Sequence, residues 1–139
     1  MKQHQETLVV RTPSRGLREI TGEIRAVVAR AGVASGLCTL FLRHTSAGLV
    51  IQENADPTAR RDLERWLERL APDGDPAYEH DAEGPDDMAA HLRAVLTRTS
   101  ESIPVAGGAL ALGTWQGVWL AEHRRRGHAR EIVVHVAGE

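Results

Sequence analysis

The chain has 139 residues, 42% of them hydrophobic and 26% charged, with 17 basic against 19 acidic side chains. This length predicts one domain spanning residues 1–139, and the composition excludes a disordered chain. A formal charge of −2 gives no basis for a nucleic-acid partner, and no apolar run approaches the roughly 20 residues that cross a bilayer.

In chain order, residues 1–6 read as a frayed polar tail without the apolar stretch of a secretory signal. Leu8 to Val10 is a short strand closed by Pro13. Leu17, Ile20, Ile24, Val27, Val28 and Ala31 recur at helical spacing, and Gly32 stops that helix. Leu37 to His44 is apolar on both faces and is expected to lie centrally in a sheet, with Leu49 to Ile51 as the next strand. Asp56-Pro57 starts a second helix, with Leu63, Trp66, Leu67 and Leu70 on its apolar face. Residues 71–77 are a loop. Gly84-Pro85-Asp86-Asp87 starts a third helix, whose stripe is Met88, Leu92, Val95 and Leu96. Four short strands follow at 103–105, 109–112, 117–122 and 131–136. The predicted order β-α-β-β-α-α-β-β-β-β gives an α+β fold: a mixed or antiparallel, sandwich-like β core flanked by about three helices.

Seven histidines stand against one Phe and one Tyr. His4, His128 and His135 fall in the tail, in a turn and on a solvent-facing strand position. His123, before Arg124-Arg125-Arg126, reads as part of a solvated hairpin tip, with an anion-contacting patch as the alternative. Cys38 sits mid-strand as a buried, inert thiol, and its solitude favours a cytoplasmic setting. The other three histidines border chemistry-bearing residues. His44 precedes Thr45-Ser46, His80 lies in a polar loop, and His91 is one helical turn after Asp87. Three imidazoles from separate elements can hold a metal ion with an open position, but their spacing matches no local metal signature. The carboxylates Glu53, Asp56, Asp81, Glu83, Asp86 and Asp87, with the Asn54 amide, cluster in sequence around them. Such carboxylates can orient a ring, hold a cation or act as general base, and Asp56, Asp86 and Asp87 are equally explained as helix-start acids. Gly113-Thr114-Trp115-Gln116-Gly117 is a turn able to offer amides and a hydroxyl to an oxyanion, or a plain β-turn over a core tryptophan.

Together, His44-Thr45-Ser46-Ala47, Gln52-Glu53-Asn54-Ala55-Asp56-Pro57, Glu83-Gly84-Pro85-Asp86-Asp87-Met88 with His91, and Gly113-Thr114-Trp115-Gln116-Gly117 with Glu122 resemble the YjbQ-type family. The resemblance runs from about Thr7 to the C-terminus. It implies a β-sandwich-like α+β fold assembled as a homotrimer, with histidines matching His44, His80 and His91 gathered around a metal or anion near the subunit boundary. It also implies secondary thiamine-phosphate synthase activity, in which an aminopyrimidine diphosphate and a thiazole phosphate are joined with loss of diphosphate. On that expectation His44, His80 and His91 hold a divalent metal, zinc in preference to magnesium. Glu53, Asp86, Asp87 and Glu122 orient ligands or carry protons, and Thr45, Ser46, Asn54, Glu83, Thr114 and Gln116 bind the phosphorylated substrate. A metal-assisted phosphate-ester hydrolase and a non-catalytic trimeric metal- or ligand-binding protein remain the alternatives.

Overall fold

A computed structural model describes residues 1–139. Eight strands and three helices follow one another: β1 (Lys2–Arg11), β2 (Ser14–Glu19), α1 (Thr21–Ala31), β3 (Ser35–Leu42), β4 (Ala47–Glu53), α2 (Pro57–Leu70), α3 (Asp87–Leu96), β5 (Ser100–Ala106), β6 (Ala109–Leu110), β7 (Gln116–Arg126) and β8 (Ala129–Gly138). The fold is α+β, and every strand pairing is antiparallel. One sheet has the order β1-β8-β3-β5-β6 and the other β2-β7-β4. Leu40, Leu42, Ile132 and Val134 from the first sheet meet Leu49, Val118 and Leu120 from the second, and α1 adds Ile24, Val27 and Val28 to the same core. Burying each such aliphatic side chain contributes roughly 1.5–3 kcal/mol. Cys38 is fully buried here, and that burial pushes its thiol up to about 11.

Two N-terminal expectations change. Residues 2–6 are strand, not tail: β1 pairs with β8 along its whole length, from Lys2 opposite Gly138 to Arg11 opposite Ala129. Ladder hydrogen bonds need no apolar side chains, so the polar Gln-His-Gln-Glu run concealed the strand. Leu17 belongs to β2 rather than to the first helix. It packs with Trp119 and Ala121 away from the main core, and its helical spacing to Ile20 and Ile24 is coincidental.

The third helix inverts its expected face. Asp87, Ala89, Ala90 and Arg93 are its buried residues, while Val95 is 82% exposed and Leu96 is also exposed. Small alanines let α3 lie close on β4 and β7, and the two charged residues are buried because each has partners. The apolar face of α2 is likewise narrower than its pattern: Leu67 is buried, while Trp66 and Leu70 are exposed. Close approach is enforced at Gly48, where an added Cβ would stand 1.8 Å from Thr97 Oγ1. No helix is long and apolar enough to cross a membrane.

Candidate metal centre

The start of α3 assembles the site. Asp56 caps α2 in the ordinary way, its carboxylate accepting from the Thr58 amide. Asp86 occupies the equivalent position on α3 but makes no capping bond. Its Oδ2 turns to β7 instead, accepting from Arg124 Nε at 3.0 Å and from the Arg125 amide at 2.9 Å. Burial alone would raise the Asp86 carboxyl, but these two donors and the Arg124 charge bring it down to about 2.

Asp87 follows and is 1% exposed. Its Oδ1 lies 3.0 Å from Arg124 Nη1. Its Oδ2 lies 2.7 Å from His80 Nε2 and 3.1 Å from His91 Nε2. Here too burial works against ionisation, and the hydrogen bond with His80, with the His91 and Arg124 charges, holds the carboxyl below its ordinary range. One ligand atom from each of His80, Asp87 and His91 lies within 4.8 Å of the others. The i, i+4 spacing on α3 sets Asp87 beside His91, and the loop between α2 and α3 brings His80 in from the other side.

The tautomer of His91 gives this cluster its meaning. His91 Nδ1 sits 2.8 Å from the Thr45 carbonyl oxygen, which can only accept, so Nδ1 carries the proton. A neutral ring then points the Nε2 lone pair at the Asp87 carboxylate. Two acceptors face each other, and only a cation between them, either a proton or a metal ion, reconciles the pair. A carbonyl on the far ring nitrogen and a guanidinium on the far carboxylate oxygen are also the supports that metal ligands use. Two imidazoles and a carboxylate are a fitting donor set for a divalent ion.

Of the three histidines expected to converge, the structure joins His80 and His91, with Asp87 as the third donor. His44 stands outside the cluster. Its Nε2 accepts from the Glu131 amide at 2.7 Å, and burial, then the nearby Arg130 charge, lowers its pKa. It does share with His91, Thr45, Ser46 and Arg130 the lining of one open cavity of about 730 Å³. Glu122 is walled in behind Arg130, 1% exposed. It pairs with Arg130, accepts from Thr12 Oγ1 at 2.6 Å and from the Arg124 amide at 3.1 Å, and Arg130 in turn reaches Ser46 Oγ at 3.0 Å. Glu83 is exposed and contributes its carbonyl to Arg124.

The remaining expected residues lie at the other end of the second sheet. Glu53 pairs with Gln116 where Ala47 pairs with Glu122, so the length of β4, about 20 Å, separates them from the histidines. Asn54 bonds the Trp115 carbonyl and Glu19, and Gln116 Oε1 accepts from the Gly113 amide. Thr114 is exposed, and Trp115, one reading of which was a core residue, is 64% exposed. Sequence reasoning missed three functional-looking basic groups. His123 is buried within β7, not at a solvated tip, and Arg124 and Arg130 anchor the buried carboxylates. The alternation of Glu122, Arg124 and Arg126 with His123 and Arg125 was the available signal, but it needs the acidic partners to be read.

Comparison with known proteins agrees along the whole chain. The family described as UPF0047 protein YjbQ-like matches residues 6–139. The UPF0047 protein sll1880 of Synechocystis is 54% identical over 99% of this chain and 94% of its own, and the UPF0047 protein YjbQ of Escherichia coli O157:H7 is 45% identical over 98% and 99%. Among solved structures, a YbjQ-like protein of unknown function from Sulfolobus solfataricus superposes with a TM-score of 0.90 at 26% identity, covering 99% of both chains. A conserved hypothetical protein from Thermus thermophilus does so with 0.85 at 38% identity, covering 95% of this chain and 99% of the other. With its histidine-aspartate cluster and antiparallel two-sheet core, the chain belongs to the YjbQ-like UPF0047 family.

Proposed function

We propose that this protein is a metal-dependent enzyme of phosphorylated small molecules with thiamine-phosphate synthase activity, joining an aminopyrimidine diphosphate to a thiazole phosphate with loss of diphosphate. The observation that carries this reading is the approach of His80 Nε2 and His91 Nε2 to one oxygen of the buried Asp87 carboxylate, with His91 on the edge of an open cavity. His80, Asp87 and His91 would hold the ion, and the two imidazoles favour zinc over magnesium. A bound divalent ion supplies neutralisation for departing diphosphate. Arg124 fixes Asp87 for that role, and the Thr45 carbonyl fixes His91. Thr45 and Ser46 offer hydroxyls to phosphate oxygens, with Ser46 held in place by Arg130 and so by Glu122. His44, whose Nε2 accepts from the Glu131 amide, lines the same cavity and can offer its other ring nitrogen as an N–H donor. Asp86 and Glu83 steady Arg124 from the opposite side.

Glu53, Asn54, Thr114 and Gln116 reach the same substrate only if another copy of the chain delivers them, which accords with a homotrimer in which one protomer's far end meets the next protomer's histidines. Phe41, Val95 and Leu96 leave exposed apolar surface for such a contact. The test is product formation by protein loaded with Zn²⁺ or Mg²⁺ from the two phosphorylated substrates, beside a His91→Ala control. Thiamine phosphate and diphosphate above the control are expected, and no product with either metal would overturn the synthase reading. Light scattering should give three times the 15.2 kDa chain mass; a monomer would overturn the shared site. Three protein donors leave coordination positions open, as in water-activating sites, which favours phosphate-ester hydrolysis as the second reading. Phosphate released from an ester without thiazole phosphate would identify it.

A further inference from the structure

A second cavity, of about 310 Å³, lies between β2, α2, α3 and β7. It is separate from the metal centre. Residues two apart on a helix point to different sides, so His91 and Arg93 leave α3 in different directions.

Two deeply buried polar side chains line this cavity with bonding capacity unspent. The first is Arg93, 3% exposed. Arg15, Arg124, Arg125 and Arg130 each pair with a carboxylate, and Arg93 has no such partner. Both of its hydrogen bonds, from Nε at 3.2 Å and Nη2 at 3.0 Å, go to one oxygen, the Ala71 carbonyl at the end of α2. The partial negative charge of a helix C-terminus is about half a unit, so the guanidinium keeps net positive charge, and Nη1 stays without a partner.

The second is His123, 2% exposed. Thr97 Oγ1 donates to the Arg93 carbonyl at 3.0 Å and therefore accepts from His123 Nε2–H at 3.1 Å. That leaves Nδ1 as a bare acceptor. Burial, then the charge of Arg93, keeps the ring neutral by lowering it to about 3.

The cavity thus offers a buried group that can only donate and a buried group left only to accept. A carboxylate or sulfate would satisfy the first and leave the second bare. Glu64, engaged with the Leu17 amide, Glu122, paired with Arg130, and the exposed Glu68 also line the cavity and disfavour a dianion. We infer that this cavity binds a small, singly charged oxyanion that carries an O–H, of the class of dihydrogen phosphate and phosphomonoester monoanions, with its charge on Arg93 and its hydroxyl on His123.

The probe is inorganic phosphate, titrated into the full chain labelled with ¹⁵N at histidine and read by the ring resonances. A saturable shift of the His123 Nδ1 resonance is expected, with sulfate binding at least about tenfold more weakly for want of the O–H bond. Arg93→Met should abolish the shift. Because that change also removes the clasp on α2, Ser14→Asp provides the second variant: it sets a carboxylate at an exposed lining position and should weaken phosphate at least about tenfold without touching α2. The inference is overturned by a silent His123 at millimolar phosphate, by equal affinity for sulfate, by shifts confined to His80 and His91, or by unchanged affinity in Ser14→Asp.

Discussion

Glu122 and Asp87 are equally buried, each 1% exposed, and each has an arginine partner. They differ in what meets the rest of the carboxylate. Around Glu122 the partners are a guanidinium, a hydroxyl and a backbone amide, all of them donors and all rooted in neighbouring strands or turns. Around Asp87 one oxygen faces two imidazoles, one of which has its proton committed elsewhere. The first arrangement is closed and needs nothing more. The second is incomplete without a cation. Burial therefore does not separate a structural carboxylate from a candidate ligand; the count of fixed donors does.

Breaking the closed pair should have the largest effect. Glu122→Gln leaves Arg130 buried without a counter-charge, which costs about 3–5 kcal/mol. Denaturant unfolding should show that loss, while the metal bound per folded chain stays as in the parent protein. A similar loss of metal would mean that Glu122 belongs to the open cluster. Asp87→Asn gives the converse: divalent-metal affinity should fall at least about 100-fold, as measured by competition with a chelator, because one of three donors loses its charge. Unchanged affinity would remove Asp87 from the ligand set and return the metal reading to His44.

Why one of these carboxylates was legible and the other was not is a matter of range. Asp87 and His91 are neighbours through a helical turn, so their pairing follows from a four-residue spacing. Glu122 and Arg130 are also close in sequence, but the hydroxyl that completes their cluster comes from Thr12, 110 residues away, and the serine it steadies is Ser46. The strands were legible where apolar residues alternate, as in β3 and β8, and illegible in the polar stretches of β1 and β2, which are specified by the partner's backbone. The apolar face of α3 was misread because burial there is set by two alanines and two hydrogen-bonded charged residues, not by hydrophobicity. The histidine group was half legible: the sequence nominated three rings, and only the folded chain shows that two of them share an aspartate while His44 is bonded to the Glu131 amide.

Acid sharpens the comparison with a third buried group. His123 sits between Glu122 and Arg124 in β7, yet it meets no carboxylate, and burial and Arg93 lower it to about 3 from an ordinary 6.5. The sign follows from linkage: a depressed folded-state value means that the unfolded chain takes up the proton first, so this contribution is intact above pH 6.5 and lost as pH falls toward 3. Between pH 7 and pH 5 the loss should be about 2 kcal/mol, since one pH unit below the unfolded value is worth roughly 1.4 kcal/mol. Glu122 and Asp87, held ionised in the fold, add only about 0.2 kcal/mol in that window, because their ordinary values of 4.5 and 3.8 lie below pH 5. Chemical unfolding of His123→Gln beside the parent protein isolates the effect: the variant's curve should be flatter by that amount from pH 7 to pH 5. Parallel curves would mean that the imidazole charges inside the fold, which requires a counter-anion in the cavity it shares with Arg93.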